Sequence, residues 1–384
     1  MGKLEKIADK FRQLHNSEPV LVRAPGRINL IGEHTDYNLG SVLPGAIDKC
    51  IYMAIGTRSD NQINVYAADY SDHIVTVVDP LEKAWKLWPN YVLGVINEVK
   101  KLGVQVPGLN IVLGGDIPLA AGLSSSAAIT VATTVSLNYV LDLGFSKLEM
   151  AQIAQKAEHN FVGVQCGLMD QYASLFGKKG HVIKLDCNTN QHEYIPFETT
   201  EVKVVLFDTG VKHHLVSSAY NERREQCQRG VELVKAHHPE IIGLPDITEE
   251  MLYKYVKPES ELLFRRCLYV VQEIERLKGA CEDLVKNDFE SLGGKMFETH
   301  AGLKDMYEVS CEECDFLVDT VKASMNVLGA RMMGAGFGGC TINLIYSDAV
   351  DKVTESVKQA YKEKFGKDLK VYLTSIEDGA EVLK

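Results

Sequence analysis

Between Asn110 and Leu141 the chain passes from a short apolar strand pattern, Asn110 to Leu113, through Gly114 and Gly115 into the stretch DIPLAAGLSSSAA, Asp116 to Ala128. A long helical pattern then runs from about Ser125 to Leu141. This strand, loop and apolar helix demand a core that mixes both element types. Ala127 to Leu141 is also the most apolar window of the sequence, and its threonines and serine break it well below the roughly 18 apolar residues that span a bilayer.

The serines carry chemistry as well as structure. The first amides of a helix have no internal partner, and the helix dipole adds partial positive charge around them. Three hydroxyls beside those amides make a site suited to phosphate. One serine alone would need no more account than N-capping. No GxxxxGK[ST] pattern occurs, which argues against a P-loop fold. The loop also lacks a lysine, so charge on a bound triphosphate must be offset by amides, a metal ion and residues from elsewhere.

The remaining pattern alternates strands and helices without a steady βαβ beat, which predicts an α+β fold. Leu4, Ile7, Ala8, Phe11 and Leu14 follow helical spacing. Strands are expected at Cys50–Thr57, His73–Val78, His181–Leu185, Lys203–Phe207, Cys340–Tyr346 and Lys370–Leu373. Helices are expected at Ala151–Phe161, Leu262–Leu277, Cys281–Leu292, Cys311–Ala323 and Ala349–Tyr361. A polar segment near Asn188–Thr200 places an approximate boundary between residues 1–195 and 196–384.

A second cluster lies in RAPGRINLIGEHTDYN, Arg23 to Asn38. Ile28, Leu30 and Ile31 read as the end of a buried strand. Arg27, Glu33, His34 and Asp36 then crowd into one turn, although Asp36 and Asn38 could simply shape it. Downstream, Glu158 sits on a helix, where a carboxylate beside phosphates would suit Mg²⁺, a hard cation that prefers oxygen ligands, or would merely be solvated. Asp170, in CGLMDQYAS, could cap a helix or orient and deprotonate an attacking hydroxyl. Asn221 to Gln226 reads as a solvated helix face, with Tyr220 at its start. GARMMGAGFGGC, Gly329 to Cys340, holds five glycines that permit close backbone approach.

Composition excludes other classes. The 384 residues are 46 % hydrophobic and 24 % charged, enough for two ordinary domains. A net charge of −11 disfavours nucleic acid and anionic membranes as partners. The first residues carry scattered charge and no apolar leader core, and Lys6 stands where a myristoylation motif needs Ser or Thr. The nine cysteines are scattered, and the one close pair, Cys311 and Cys314, has no second pair to complete a zinc site. Reduced thiols in a cytoplasmic protein are expected.

Four of these stretches, in order, resemble the motifs of the GHMP small-molecule kinases, and within them the members that phosphorylate galactose: GRINLIGEHTDYN, IPLAAGLSSSAA, CGLMDQ and MGAGFGGC. The matches run from about Arg23 to Thr341. The resemblance implies two α+β lobes with the active site in the cleft between them. It implies transfer of the γ-phosphoryl group of ATP to the anomeric hydroxyl of α-D-galactose, with Mg²⁺ as cofactor. Asp170 then matches the catalytic base and Arg27 the arginine beside it. Glu33, His34, Thr35, Asp36, Gly167 and Tyr220 match sugar-binding positions. Ala120, Ala121, Gly122, Leu123, Ser124, Ser125 and Ser126 match the phosphate loop, with Trp88 near the adenine, and Ser126 and Glu158 match the metal ligands. Galactose and ATP are the expected partners, and a monomer the expected state. Ala120 and Ala121 stand where relatives carry more glycine, Gln165 where proline is common, and Lys212–His214 is unusual, but no chemical group is lost. A kinase for N-acetylgalactosamine or L-arabinose, or a galactose- and ATP-binding sensor without catalysis, are the alternatives.

Overall fold

The computed structural model describes residues 2–118, 121–211 and 216–383, with backbone alone for 216–218. Three sheets organise it. The largest has six strands in the order Glu381–Leu383, Val20–Asn29, Pro44–Arg58, Gly108–Gly115, Gln62–Ala67, Asp72–Val77. Its pairs are antiparallel except for Gln62–Ala67 against Gly108–Gly115. A four-stranded antiparallel sheet runs Val327–Met332, Cys340–Tyr346, Val202–Asp208, Lys370–Thr374. Ser41–Val42, His181–Asp186 and His192–Pro196 form the third. The mixture agrees with the α+β expectation.

The apolar helix forms at Ser125–Val140 and packs on the strands Val20–Asn29 and Pro44–Arg58 and on the helix Lys147–Ala157. Its threonines tolerate burial because each hydroxyl bonds back to the helix: Thr130 to the Ala127 carbonyl at 3.0 Å, Thr133 to Ile129 at 2.8 Å and Thr134 to Thr130 at 2.8 Å. None of these three hydroxyls is left without an acceptor. Among the described residues no helix is long and apolar enough to cross a membrane.

Most predicted elements appear within a few residues of their expected places, with three differences. The expected break between Leu277 and Cys281 is absent, and one helix runs Glu261–Val285. Gly279 is tolerated inside it, at a cost of about 1 kcal/mol against alanine. The break falls later, where Asn287 takes φ +55° and Asp288 caps the helix Phe289–Ala301 by accepting the Ser291 amide at 2.9 Å. The polar segment Asn188–Thr200 contains the strand His192–Pro196, which pairs with His181–Asp186 in a hairpin. The chain also returns at its end to pair Glu381–Leu383 with Val20–Asn29, so a cut at 195/196 leaves one strand of the first sheet on the far side.

Candidate active site

The site begins with an irregularity in a strand. Along Val20–Asn29 the register against Pro44–Arg58 shifts between Pro25 and Arg27. Such a bulge re-aims the next side chain. The intervening Gly26 lies against the serine loop, where an added Cβ would sit 2.5 Å from the Leu123 carbonyl. No other residue permits that approach. Arg27 therefore emerges beside the loop, and its Nη1 donates to the Gly122 carbonyl at 2.6 Å.

Arg27 Nε donates to Asp170 Oδ1 at 2.7 Å, and Ser124 Oγ donates to Asp170 Oδ2 at 2.5 Å. Asp170 lies in the first turn of the helix Met169–Phe176 rather than at its cap. Its side chain keeps 24 % exposure, while Arg27 is almost fully covered. The carboxylate is thus fixed in direction and still open to a ligand.

A cavity of about 350 Å³ lies here. Arg27, Asp170, Ser126 and Glu158 line it together with Glu33, His34, Asp36, Gly167 and Tyr220, and with Gly334 and Ala335 from the glycine-rich stretch. Gly167 is required by closeness: a Cβ there would overlap the Asp36 carboxylate. Of the remaining expected residues, Thr35 is fully buried behind the wall, its hydroxyl 2.9 Å from the Gly32 carbonyl and 2.6 Å from that of Ser41. It shapes the turn and has no exposed atom to offer a sugar. Ala121, Gly122, Leu123, Ser124 and Ser125 carry the loop beside the cavity, and Ala120 lies outside the described residues. The segment Lys212–His214 also lies outside them. Trp88 is outside the lining, at the start of the helix Pro89–Lys101, where its indole N–H donates to Asp72 at 3.0 Å.

The polar groups of the turn are held from several directions. His34 takes φ +65°, rare for a residue with a side chain, and is buried. Burial pushes its imidazole down to about 4, with Arg223 and Arg331 adding to the effect, so the ring is neutral at physiological pH. Its Nδ1 lies 2.7 Å from the Tyr37 hydroxyl, which lies 2.9 Å from that of Tyr307, which in turn lies 3.3 Å from Cys227 Sγ. Nε2 has no partner and is the free end of this relay. Asp36 is pushed up to about 7 by burial and by Asp170.

Glu33 is 2 % exposed. Burial would raise its carboxyl, but Arg331 and Arg27 outweigh that and hold it below the ordinary glutamate value. Arg331 is fully buried and places all of its donors: Nε to the Leu30 carbonyl at 2.8 Å, Nη1 to the Met332 carbonyl at 2.6 Å and to Glu33 Oε1 at 3.1 Å, and Nη2 to the Asn29 carbonyl and to Glu33 Oε1. Gly334 N–H adds a third bond to Glu33 Oε1 at 2.8 Å. Arg331, Tyr37, Tyr307 and Gln171 were not singled out from the sequence. A charged residue inside the apolar, glycine-rich GARMMGAGFGGC run was the available signal for Arg331.

Glu158 and Ser126, the pair expected to hold a divalent cation, both line the cavity. Glu158 stands where the helix Lys147–Ala157 gives way to a π-helical turn, Glu158–Val162. Such turns recur at functional sites. Burial and then Asp170 push its carboxyl up to about 7, against hydrogen bonds from Gln171, Ser126 and Thr130. Gln171 Nε2 fixes the carboxylate at 2.8 Å. A buried, oriented carboxylate with no cationic partner at hydrogen-bond distance, beside a second acid, fits a hard cation. Among the described residues no cluster of three acidic, histidine or cysteine side chains would hold a metal unaided, so a cation needs nucleotide phosphates to complete its shell.

Comparison with known proteins agrees with this arrangement. Residues 90–178 match the model of the GHMP kinases N terminal domain, residues 9–57 the galactokinase galactose-binding signature, and residues 280–363 the GHMP kinases C terminal domain. The galactokinase of Thermotoga maritima is 40 % identical over 94 % of this chain and 99 % of its own. That of Clostridium acetobutylicum is 40 % identical over 99 % of both. The crystal structure of Lactococcus lactis galactokinase complexed with galactose superposes with a TM-score of 0.95 at 34 % identity, over the whole of both chains. The Methanococcus jannaschii mevalonate kinase shares the fold alone, at 17 % identity and a TM-score of 0.64 over 94 % of this chain and 99 % of that one. The chain belongs to the galactokinase family of the GHMP kinases.

Proposed function

We propose that this protein transfers the γ-phosphoryl group of ATP to the anomeric hydroxyl of α-D-galactose, giving ADP and α-D-galactose 1-phosphate. The observation that carries the reading is the cavity itself. The Arg27–Asp170 pair and the Glu33, His34 and Asp36 of the galactose-binding signature line the same cavity. The hydroxyl oxygen forms the new P–O bond, the bond to the ADP oxygen breaks, and Asp170 takes the hydroxyl proton. Both oxygens of Asp170 already accept one hydrogen bond, yet each retains a lone pair for the substrate. Arg27 orients the base and offsets charge on the moving phosphoryl group. The serine-loop amides, Ala121 to Ser126, cradle the phosphates.

Ser126 and Glu158 would hold Mg²⁺ together with those phosphates. When bound, the ion would neutralise phosphate charge. Residues 1–195 and 196–384 correspond approximately to two lobes that meet at the cleft. The protein acts as a cytoplasmic monomer, and its nine cysteines are free.

The test is ADP release with Mg²⁺ and ATP on galactose, N-acetylgalactosamine, arabinose and glucose. Turnover is expected on galactose and to be far slower on the others, because a site built to bond one hydroxyl leaves its groups unpaired with an epimer. Preferred turnover of another sugar would replace the substrate, and binding of galactose and ATP without turnover would make the protein a sensor.

Galactose affinity is expected to depend on pH through Asp36. Its folded carboxyl titrates near 7. Below that it is the neutral acid, and above it a full acceptor for a sugar hydroxyl. Binding measured by calorimetry should tighten as pH rises from 5.5 to 7.5, approaching about tenfold per unit at the acid end, then level off. Asp36→Asn should flatten the curve. The same shift opposes apo folding: the fold keeps a proton that the unfolded chain gives up at the ordinary aspartate value. Asp36 therefore costs stability as pH rises from about 4 through about 7.

A further inference from the structure

Cys311 and Cys314 open the helix Glu312–Lys322. Cys311 occupies the N-cap in extended conformation, φ −138° and ψ 163°, so the spacing of three sets both sulfurs on the first turn. Cys311 is partly exposed at an open surface groove whose charged groups are Lys304 and Lys364 among Glu308, Glu312, Asp315 and Asp319, and Cys314 is fully buried. The neighbouring Cys314 thiol holds the Cys311 sulfur below the ordinary thiol value, against burial and the charge of Glu313. Cys314 itself is pushed well up, by its neighbour and by burial. One thiol is therefore reachable and ionisable and the other is protected, the asymmetry that disulfide exchange requires.

We propose that Cys311 and Cys314 are a thiol–disulfide pair that takes electrons out of the protein to a small disulfide such as glutathione disulfide, and that closing it loosens the glycine-rich loop of the sugar site. The Cys311 thiolate attacks one sulfur of the oxidant and expels a thiolate. Cys314 gives up its proton and attacks Cys311 Sγ, expelling the remaining half. Two protein thiols become one disulfide, and the oxidant becomes two thiols.

The link to the site is a backbone-close contact. Cys314 Sγ lies 3.8 Å from the Gly338 carbonyl. Phe337 N–H donates to the Val309 carbonyl at 2.7 Å, and a Cβ on Gly336 would lie 2.3 Å from that same oxygen. The loop so held presents Gly334 to Glu33 Oε1. Drawing Cys314 toward Cys311 removes the contact with Gly338 at the far end of this loop. The effect on sugar binding rests on the function proposed above, while the disulfide itself does not.

The experiment equilibrates the folded protein in glutathione buffers of varied ratio, traps free thiols with an alkylating agent, and maps the peptides by mass spectrometry. In parallel the KM for galactose is measured before and after oxidation and after dithiothreitol. A Cys311–Cys314 disulfide is expected while the other cysteines stay reduced, with KM raised about fivefold, the scale of one lost hydrogen bond, and restored by the reductant. Cys311→Ser should show neither change, and Cys314→Ser should stop at a glutathione adduct on Cys311. No disulfide in the folded protein, or one that involves other cysteines, overturns the pair. A disulfide that leaves KM unmoved overturns its coupling to the loop.

Discussion

Asp170→Ala is expected to lower kcat by about three orders of magnitude, while ATP and galactose still bind within a few-fold of their original affinities. A positioned base contributes roughly 10²- to 10⁴-fold. Two features place Asp170 toward the upper part of that range. Both of its oxygens are oriented, by Arg27 at 2.7 Å and by Ser124 at 2.5 Å, so no reorganisation is needed when the hydroxyl arrives. Glu158 cannot swing into its place, because its carboxylate is tied to Gln171 at 2.8 Å. Loss of the carboxylate also leaves Arg27 without its anionic partner, and the guanidinium retains only the Gly122 carbonyl. Asp170→Asn keeps the shape and should fall almost as far, since an amide cannot take the proton. Single-turnover kinetics with separate binding titrations check this. A drop below tenfold in both variants would remove the base and leave catalysis to charge stabilisation by Arg27 and the metal.

How much of this site the sequence displays follows from distance along the chain. Groups that act within one local segment were legible. The strand, loop and helix from Asn110 to Leu141 could be read from apolar periodicity, and the helix starts at Ser125 as expected. The turn with Glu33, His34 and Asp36 could be read because its charges crowd together after a buried run. What joins distant segments could not. Arg27 and Asp170 are 143 positions apart, and their pairing depends on a bulge at Gly26 that has no periodic signature. Thr35 shares the turn with the sugar-facing groups, yet its hydroxyl points to two backbone carbonyls, and spacing cannot distinguish the two faces of a turn. The end of the helix Glu261–Val285 was misplaced because Gly279 looks like a stop, whereas the Asn287–Asp288 turn is the stronger one. The resemblance supplied residue roles, but not the Arg331 network or the relay from His34 to Cys227, whose members come from separate elements.

Arg331→Met is expected to destabilise the protein by about 3–5 kcal/mol, the cost of breaking a buried ion pair by removing one partner. For a chain of 384 residues that is a fall in melting temperature of roughly 4–6 °C. Arg331 is fully buried, and its partners come from two segments: Asn29 and Leu30 at the end of the strand Val20–Asn29 with Glu33 in the turn after it, and Met332 from its own strand. Methionine fills much of the volume but leaves three carbonyls short of a donor and Glu33 charged with one N–H, that of Gly334, in place of three bonds. The sign with pH follows. Glu33 is held below its ordinary value in the native protein, so its pairing stabilises the fold above about pH 4.3 and is lost as pH falls through the lowered native value. In the variant burial acts without Arg331, the carboxyl rises, and galactose binding should weaken. Glu33→Gln alone leaves the guanidinium short of an anion and should also destabilise. The double variant removes both charges and should recover part of the loss, with a coupling of at least about 1.5 kcal/mol in the mutant cycle. Additive single effects would mean that Arg331 acts through its backbone carbonyls alone, as a strut between the turn and the glycine-rich segment. Thermal melts and galactose titrations on the four proteins distinguish a strut from a residue that sets the charge and direction of Glu33.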